Sequence, residues 1–201
     1  MVPDKEVVDS YVERRLSEMQ TAKRFSISAN RVRRILDKYR VPRRSISDAI
    51  TNLYITKYGK RPFELRHNLT RRQEILKAVG VMLYWGEGTK KGLTVALANS
   101  DPVMIQVFLR FLREICGVHE KRLRVGLHYY RDHDPKKLIG FWSQITKIPL
   151  SQFDRPFLHF AGKGSYKSKS QYGTVAVRYS DARLLKLLQL WIAEYQRQVL
   201  E

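Results

Sequence analysis

The chain has 201 residues, of which 38 are lysine or arginine and 19 are aspartate or glutamate, so its formal net charge is +19. With 43% hydrophobic residues it can bury a core, which argues against intrinsic disorder. A positive surplus of this size favours a polyanionic partner, with a ribosome-associated protein and an anionic-membrane binder as alternatives. The single cysteine, Cys116, excludes an intrachain disulfide framework and a cysteine-rich zinc site, and it is expected to be a buried apolar residue.

No apolar run reaches the roughly 18 residues that a membrane-spanning helix needs, and the charged N-terminal stretch lacks a signal-peptide core. We therefore expect a cytoplasmic protein with no membrane partner.

Three short helices are predicted at the N-terminal end. The first covers 5–15, and Ser17 begins the second, with Gln20 at the spacing of a capping box. A tight turn over 26–28 then leads to Ser28, which is a suitable N-cap for the third. The residues expected on the buried side of these helices are Val8, Tyr11, Val12, Met19, Ala22, Phe25, Val32, Ile35 and Leu36.

The last two of these helices resemble a helix-turn-helix, and the segment SEMQTAKRFSISANRVRRILDKYRV carries the resemblance. The third helix would read DNA, because side chains near the N-terminus of such a helix reach base edges, where arginine suits guanine and asparagine suits adenine. The candidate DNA contacts on it are Asn30, Arg31, Arg33 and Arg34. A small helical bundle with a solvated basic face is the alternative.

The predicted organisation is a helix-turn-helix module over 1–41, a basic connector over 42–71 and a larger domain over 72–201. Pro42 and Pro62 interrupt helices in the connector. Its candidate phosphate contacts are Arg43, Arg44, Lys60 and Arg61, and its candidate contacts with the larger domain are Tyr54, Tyr58 and Phe63. A charged linker in water is an equally good interpretation.

The larger domain is predicted to be α+β. In chain order we expect a helix that ends near residue 87, a strand at 93–98, a helix capped by Asp101, a strand at 123–130, a helix at 136–145, strands at 157–160 and 174–179, and a helix capped by Asp181. The buried positions expected on its helices are Ile75, Leu76, Val79, Met82, Leu83, Ile105, Phe108, Leu109, Leu112, Ile115, Leu184, Leu185, Leu188 and Trp191.

An internal repeat runs through this domain. The segments VALANSDPVMIQVFLRFLREI and VAVRYSDARLLKLLQLWIAEY align without gaps at an offset of 80 residues. Each is predicted to be a strand, a Ser-Asp cap and an amphipathic helix. This pattern suggests a pseudo-symmetric domain with a sheet covered by helices, and convergence on a common capping pattern is the alternative.

Gly86-Glu87-Gly88 is the most distinctive local feature. Glycines on both sides leave the Glu87 carboxylate uncovered at the end of an apolar helix. A divalent-metal nuclease needs such an acid, because Mg²⁺ takes oxygen ligands and bridges a carboxylate and the scissile phosphate.

The stretches VGVMLYWGEGTK and TVALANSDPVMIQVFLRFLREICGV resemble the LAGLIDADG homing-endonuclease family over approximately residues 72–195. The resemblance implies helices packed on a curved, mostly antiparallel sheet that grips double-stranded DNA. It also implies motif helices that pair about a twofold axis and a Mg²⁺ cofactor held by Glu87. Gly80, Gly86 and Gly88 would be the structural glycines of the motif.

The sequence departs from the family pattern in two places. Trp85 stands where a second acid is common, and Val81 and Met82 are bulkier than the family's small packing residues. A single motif implies a homodimer that supplies two Glu87 residues. In the alternative pseudo-dimer, the segment LIGFWSQITK places Gln144 opposite Glu87.

Basic residues elsewhere in the larger domain are further candidates for the site. Lys167 and Lys169 are candidate catalytic residues in the loop GKGSYKSKSQYG, where phosphate tracking is the favoured alternative role. The other candidate DNA contacts are Lys90, Lys91, Arg122, Arg124, His128 and Lys163. Arg122, Arg124 and His128 alternate along a strand and are expected on one sheet face, with a merely solvated face as the alternative. The segment HYYRDHD lacks the ligand spacing of a structural zinc site and is interpreted as a turn.

Three functions remain open from the sequence. The first is a site-specific DNA endonuclease that depends on Mg²⁺. The second is a LAGLIDADG-like transcriptional regulator that binds DNA without cutting it, favoured by the loss of the neighbouring acid. The third and weaker one is an RNA-binding protein that uses an aromatic-rich basic surface.

Overall fold

The computed structural model describes residues 2–59, 61–159 and 170–201. The chain divides into two compact units, Met1–Arg61 and Pro62–Glu201. This boundary falls inside the predicted connector, so residues 42–71 are not a separate segment. Among the described residues, every helix is too short or too polar to cross a membrane.

The first unit consists of four helices. They are α1 (Asp4–Val12), α2 (Glu18–Phe25), α3 (Ala29–Lys38) and α4 (Ile46–Tyr58). The predicted capping box is present, since the Ser17 hydroxyl accepts from the Gln20 amide at 3.1 Å and the Gln20 side chain accepts from the Ser17 amide at 2.8 Å. The Ser28 hydroxyl caps α3 by accepting from the Arg31 amide at 3.2 Å. Helix α4 lies where only a connector was predicted.

The core of the first unit is formed by α1, α2 and α3. Its buried apolar residues are Val7, Tyr11, Ala22, Val32, Ile35 and Leu36. Five of these were predicted, but Val12 and Met19 are exposed and those two predictions are wrong. Val7 and Tyr11, four residues apart, form the inward stripe of α1, and Met19 borders an open depression beside α4.

In the described part of the second unit, four α-helices combine with a four-stranded mixed sheet. Its elements are α5 (Arg71–Glu87), β1 (Thr94–Asn99), α6 (Pro102–Glu114), β2 (Arg124–Tyr130), α7 (Pro135–Thr146), β3 (Phe157–His159), β4 (Thr174–Ser180) and α8 (Ala182–Leu200). The strand order is β1-β4-β2-β3, with β2 and β3 parallel and the other pairs antiparallel. The predicted α+β class is confirmed, and the element bounds differ from the predictions by a few residues at most.

Among the described residues of the second unit, the helices pack on one face of the sheet. Alternate strand residues point into the core, including Val95, Leu97, Val125, Leu127, Val175, Val177 and Tyr179. They meet the buried side of α6, where all five predicted positions are buried, and that of α8, where Leu184, Leu185 and Leu188 are buried and Trp191 is partly so. Cys116 is fully buried, as predicted, and burial raises the pKa of its thiol.

The internal repeat corresponds to neighbouring parts of the fold. Strands β1 and β4 pair antiparallel, and Leu97 lies opposite Val177, its own counterpart in the repeat. Both strands lead into helices capped by aspartate, because the Asp101 and Asp181 side chains each accept from two backbone amides. The two strand–helix units are therefore related by a local twofold axis through the Leu97–Val177 pair.

The inward side of helix α5 matches the predicted one only in part: Leu76 and Leu83 pack against the core, as predicted. The side that packs inward carries Gly80, Val81 and Tyr84, and a Cβ at Gly80 would collide with the Phe111 ring of α6. Ile75, Val79 and Met82 were expected in the core, but they are 57%, 41% and 36% exposed. At 100° per residue these three lie on the opposite side of the helix from Tyr84, so an apolar stripe faces outward.

The glycines of α5 give a matched pair for a stability test. Gly80→Ala should destabilise the protein by about 1–3 kcal/mol, because the added methyl overpacks against Phe111. Gly86→Ala should stabilise it by up to about 1 kcal/mol, since its Cβ would meet nothing within 4 Å and alanine favours the helix. Urea unfolding of both variants measures the difference, and equal free energies of unfolding would contradict the close contact.

Candidate nucleic-acid interface

Contacts of Tyr84 hold the turn that carries Glu87 in place. The Tyr84 hydroxyl donates to the Thr89 carbonyl, and a Cβ at Gly88 would collide with the Tyr84 side chain. Burial raises the pKa of Tyr84 to about 12, so its hydroxyl keeps its proton near neutral pH. The Thr89 amide donates to the Ala96 carbonyl at 2.9 Å, which joins the turn to β1. Glu87 is therefore an exposed carboxylate on a rigid turn at the edge of the sheet.

In a single protomer, this turn offers one carboxylate, that of Glu87, as a ligand for Mg²⁺. Across the described residues, no group of three or more His, Cys, Asp or Glu side chains is arranged to hold a metal ion. Protein Mg²⁺ sites commonly use one or two carboxylates together with phosphate oxygens and water. Glu87 fits that requirement as one ligand, and a second carboxylate would have to come from another copy of the chain.

The open face of the sheet is a candidate surface of the second unit. Because strand residues alternate, it carries the neighbours of the core residues. Small residues occupy its middle, namely Ala96, Ala98, Gly126 and Ala176, and polar or aromatic residues surround them. A shallow depression over β1 and β4 is lined by Thr89, Lys91, Gly92, Leu93, Thr94, Ala96, Arg124, Asp154, Arg178 and Ser180.

Two arginines face this depression. Arg178 on β4 forms an ion pair with Asp154, above the space left by Gly126, where a Cβ would come within 3.4 Å of the guanidinium. Arg124 lies opposite Arg178 on β2 and donates to the Lys121 and Leu123 carbonyls at 2.8 and 2.7 Å. Lys91 lines the same depression, and Lys90 beside it is exposed. Lys91 and Arg124, both predicted DNA contacts, therefore share one surface with Arg178.

Arg122 does not belong to that surface. The strand begins at Arg124, and Arg122 ends a short 3-10 turn (Glu120–Arg122). Its guanidinium pairs with Asp181 at 3.1 Å, donates to the Ser180 carbonyl and stacks over the Tyr179 ring at 4.8 Å. We correct its assignment from a DNA contact to a structural residue that joins the N-cap of α8 to the sheet.

His128 lies on the open face, as predicted, within a group of aromatic rings. Its Nδ1 is 2.9 Å from Nε2 of His159 on β3, and the Phe157 ring centroid is 5.6 Å away. Desolvation, then the nearby His159 and Arg178, lower the pKa of His128. This end of the face is therefore aromatic, and the fold disfavours the charged form of His128.

The candidate reading helix of the first unit exposes all four predicted side chains. Asn30, Arg31, Arg33 and Arg34 are exposed on α3, and Arg33 is held by Glu18 at 2.7 Å and by Asn30 at 3.3 Å. Asn30, Arg31 and Arg34 border a shallow concave surface that also includes Ser28, Ile35 and Lys38. The N-terminal half of α3 therefore presents donors and an acceptor to the exterior.

The two arginines that precede α4 have different surroundings. Arg43 is exposed. The Arg44 guanidinium donates to the Tyr11 carbonyl and to the Leu16 carbonyl, the latter at 3.0 Å, and stacks over the Tyr11 ring at 4.1 Å. The Tyr11 carbonyl is one that the end of α1 leaves unpaired, and Leu16 lies between α1 and α2. We therefore reassign Arg44 from a phosphate contact to a structural clamp.

Several predicted residues cannot be placed on either surface. Lys60, Lys163, Lys167 and Lys169 lie outside the described ranges.

Gln144 is exposed on α7, whose main helix partner is α6, whereas α5 packs on α6 and α8. The pseudo-dimer that would place Gln144 opposite Glu87 therefore gains no support from this packing. Phe63 packs on the core of the second unit, as predicted.

The sequence analysis missed four residues of the open face: Asp154, Phe157, His159 and Arg178. The signal for Arg178 was present, because TVAVRYS alternates small or polar residues with apolar ones, and that pattern places Arg178 opposite the core side. Asp154 lies outside the strands, so no periodicity marked it.

Comparison with known proteins gives no assignment. No protein-family model, no curated protein and no solved structure matches this chain. The function must therefore be argued from the two surfaces themselves.

We expect the His128 imidazole to titrate below its ordinary value of 6.5. Because the fold disfavours the protonated ring, His128 contributes stability above pH 6.5 that is lost as the pH falls toward the native pKa. His159→Asn or Arg178→Ala should raise the pKa of His128, as measured by side-chain NMR. Arg110→Ala on α6, which removes an exposed arginine elsewhere, should leave it unchanged, and equal shifts in all variants would refute the assigned causes.

Proposed function

We propose that this protein binds double-stranded DNA sequence-specifically, with α3 as the reading helix in the major groove. The observation that carries the proposal is the exposure of Asn30, Arg31 and Arg34 in the first turns of a helix that follows a short capped turn. In helix-turn-helix proteins, residues at this place contact base edges. Arginine forms bidentate hydrogen bonds with guanine and asparagine does so with adenine, so these side chains suit direct readout.

The packing of the first unit supports this role. Val32, Ile35 and Leu36 hold one side of α3 in the core, which leaves its arginine-bearing side outward. The Glu18–Arg33 ion pair between α2 and α3 is exposed and contributes little to stability, but it orients Arg33 beside Asn30. A rigid, outward-facing helix can enter a groove without rearrangement.

The open sheet face of the second unit is proposed as a second DNA contact. Lys91 and Arg124 supply positive charge there, Arg178 is paired with Asp154, and small residues in the middle allow a phosphate backbone to approach closely. Contacts of this kind set position and affinity without reading bases. The family resemblance suggests the same face.

The reading helix is tested on a site selected from a random duplex library by the full-length protein. Arg34→Ala should lower the affinity for that site by about tenfold to a hundredfold and relax specificity at one position. Arg110→Ala is the matched control, because it removes the same charge from an exposed helix of the second unit, where Arg110 pairs with Glu114. Fluorescence anisotropy at fixed salt measures both.

Two outcomes would count against the proposal. If no sequence is enriched, or if both variants lose affinity equally, α3 does not read DNA. An RNA duplex of the selected sequence is the competitor, and stronger competition from RNA would favour the RNA-binding alternative.

The outward stripe of α5 supports a second candidate function, Mg²⁺-dependent cleavage of DNA by a homodimer. Ile75, Val79 and Met82 form an exposed apolar row that continues to Gly86, where a Cβ would meet open space. A second copy docked on this row would cover it and bring two helices close at Gly86. It would also bring the two Glu87 carboxylates to the same end of the paired helices. Bound Mg²⁺ would supply charge neutralisation at the scissile phosphate.

Cleavage is tested on supercoiled plasmid that carries the selected site, with Mg²⁺ or Mn²⁺ present. The wild-type protein should linearise or nick it, and Glu87→Gln should not, because the amide ligates metal poorly. Val79→Arg should abolish both cleavage and the dimer seen by sedimentation equilibrium. Val103→Arg, at a comparably exposed position on α6, is the matched control and should change neither.

Tight binding with intact plasmid would instead identify a DNA-binding regulator without nuclease activity. A monomeric wild-type protein would remove the paired-carboxylate arrangement. Neither result affects the proposal that α3 reads DNA.

A further inference from the structure

Four aromatic rings contact each other on the open sheet face, at the edge formed by β2 and β3. This aromatic cluster consists of His128, Tyr130, Phe157 and His159. His159 lies at its centre, with ring centroids 4.8 Å from Phe157, 5.1 Å from His128 and 5.8 Å from Tyr130. The parallel register pairs His128 with Phe157 and Tyr130 with His159, so all four side chains emerge on the same face.

The exposure of Phe157 is the informative feature. Its side chain is 57% exposed although it lies on a strand of a folded unit, whereas Leu158 and Tyr129 between the cluster residues point to the other face. A phenylalanine ring left open on a sheet forfeits the burial that stabilises most aromatic side chains. The ring is thus available to a planar partner.

The surroundings of the cluster define the chemistry of that partner. Arg178 and Arg124 lie on the same face of the neighbouring strands, and the whole chain carries a net charge of +19. A second copy of this basic chain would meet like charge here, and an apolar peptide would bring no anionic group for the arginines. A nucleic-acid strand combines a negative backbone with flat aromatic bases and meets both features.

The protonation state of His128 is compatible with stacking. Desolvation and the neighbouring His159 and Arg178 lower the pKa of His128, so its ring is neutral at pH 7. Neutral imidazole, phenol and phenyl rings offer π-faces on which any base can stack.

We propose that the aromatic cluster is a stacking site for one unpaired base of a DNA strand whose phosphates contact Arg124 and Arg178. The inference rests on the proposed DNA binding and adds that the preferred DNA contains an unpaired nucleotide. A base inside a duplex cannot reach the Phe157 ring, whereas a bulged or extruded base can stack on it. The open face therefore favours DNA with a locally unpaired nucleotide over fully paired DNA of the same sequence.

The test compares two duplexes that share the selected site and differ by one bulged nucleotide placed beside it. The full-length protein should bind the bulged duplex about fivefold to a hundredfold more tightly, the range expected for one base–aromatic stack. With 2-aminopurine as the bulged base, binding should quench its fluorescence. Phe157→Ala should remove both the preference and the quenching.

Two further variants separate stacking from simpler explanations. Phe157→Leu keeps apolar bulk without a π-face, so it should lose the quenching as Phe157→Ala does; if it retains the preference and the quenching, the inference is wrong. Leu190→Ala, a comparably exposed apolar residue on α8, is the control and should change nothing. Thermal melts of each variant report folding, which an exposed side chain should not alter.

Failure of this inference differs from failure of the proposed function. If the paired duplex is bound in an α3-dependent way and the bulge adds nothing, the stacking site is wrong and the DNA-binding proposal stands. If neither duplex is bound, both are overturned.

Discussion

One-sided packing of helices on the sheet is the constraint on which the rest of the second unit depends. Valine, leucine and tyrosine at alternate positions of β1, β4 and β2 lie under the helices. The residues between them are then forced onto the open face, whatever their chemistry. A register shift of one residue would bury Arg178 and expose Tyr179. The apolar core therefore determines which residues lie on the open face as well as which residues are buried. The basic depression and the aromatic cluster both follow from this alternation.

The inward and outward sides of helix α5 have different surroundings. Its inward side is narrow, because Gly80 lets the backbone approach Phe111 and Tyr84 fills the space beneath Gly88. This close packing fixes the turn that carries Glu87 to the edge of β1. The outward side keeps Ile75, Val79 and Met82, which a soluble monomer gains nothing by exposing. A helix that is apolar on two sides and ends in an exposed acid is better suited to lie between two layers than at a surface.

Sequence patterns predicted those parts of the fold that local chemistry determines. Capping residues such as Ser17, Asp101 and Asp181 form the expected hydrogen bonds, and the single apolar stripe of α6 faces the core throughout. Periodicity failed on α5 because apolar residues surround that helix, so no stripe marks its inward side, and the decisive contact is the absence of a side chain at Gly80.

The functional assignments of single arginines were harder to predict. Arg44 and Arg122 carry the same charge as Arg34, yet each guanidinium is engaged by carbonyls or a carboxylate that is distant in sequence. No local pattern distinguishes an arginine that holds the fold together from one that is exposed to a ligand. Arg178 shows the converse, since its strand was predicted and its face follows from the alternation, but its pairing with Asp154 requires the tertiary structure.

The two units offer complementary kinds of contact to the proposed ligand. The exposed side of α3 bears asparagine and arginine, which discriminate between bases, whereas the sheet face bears Lys91, Arg124 and Arg178, which attract any phosphate backbone. Because both belong to one chain, binding by one unit raises the effective concentration of the other near the same DNA. Under the proposed function, base discrimination by this short helix is sufficient, since α3 has to choose the site and the sheet face has to hold it. The large positive charge would serve this second task, and its contribution would weaken with salt while that of the base contacts would persist.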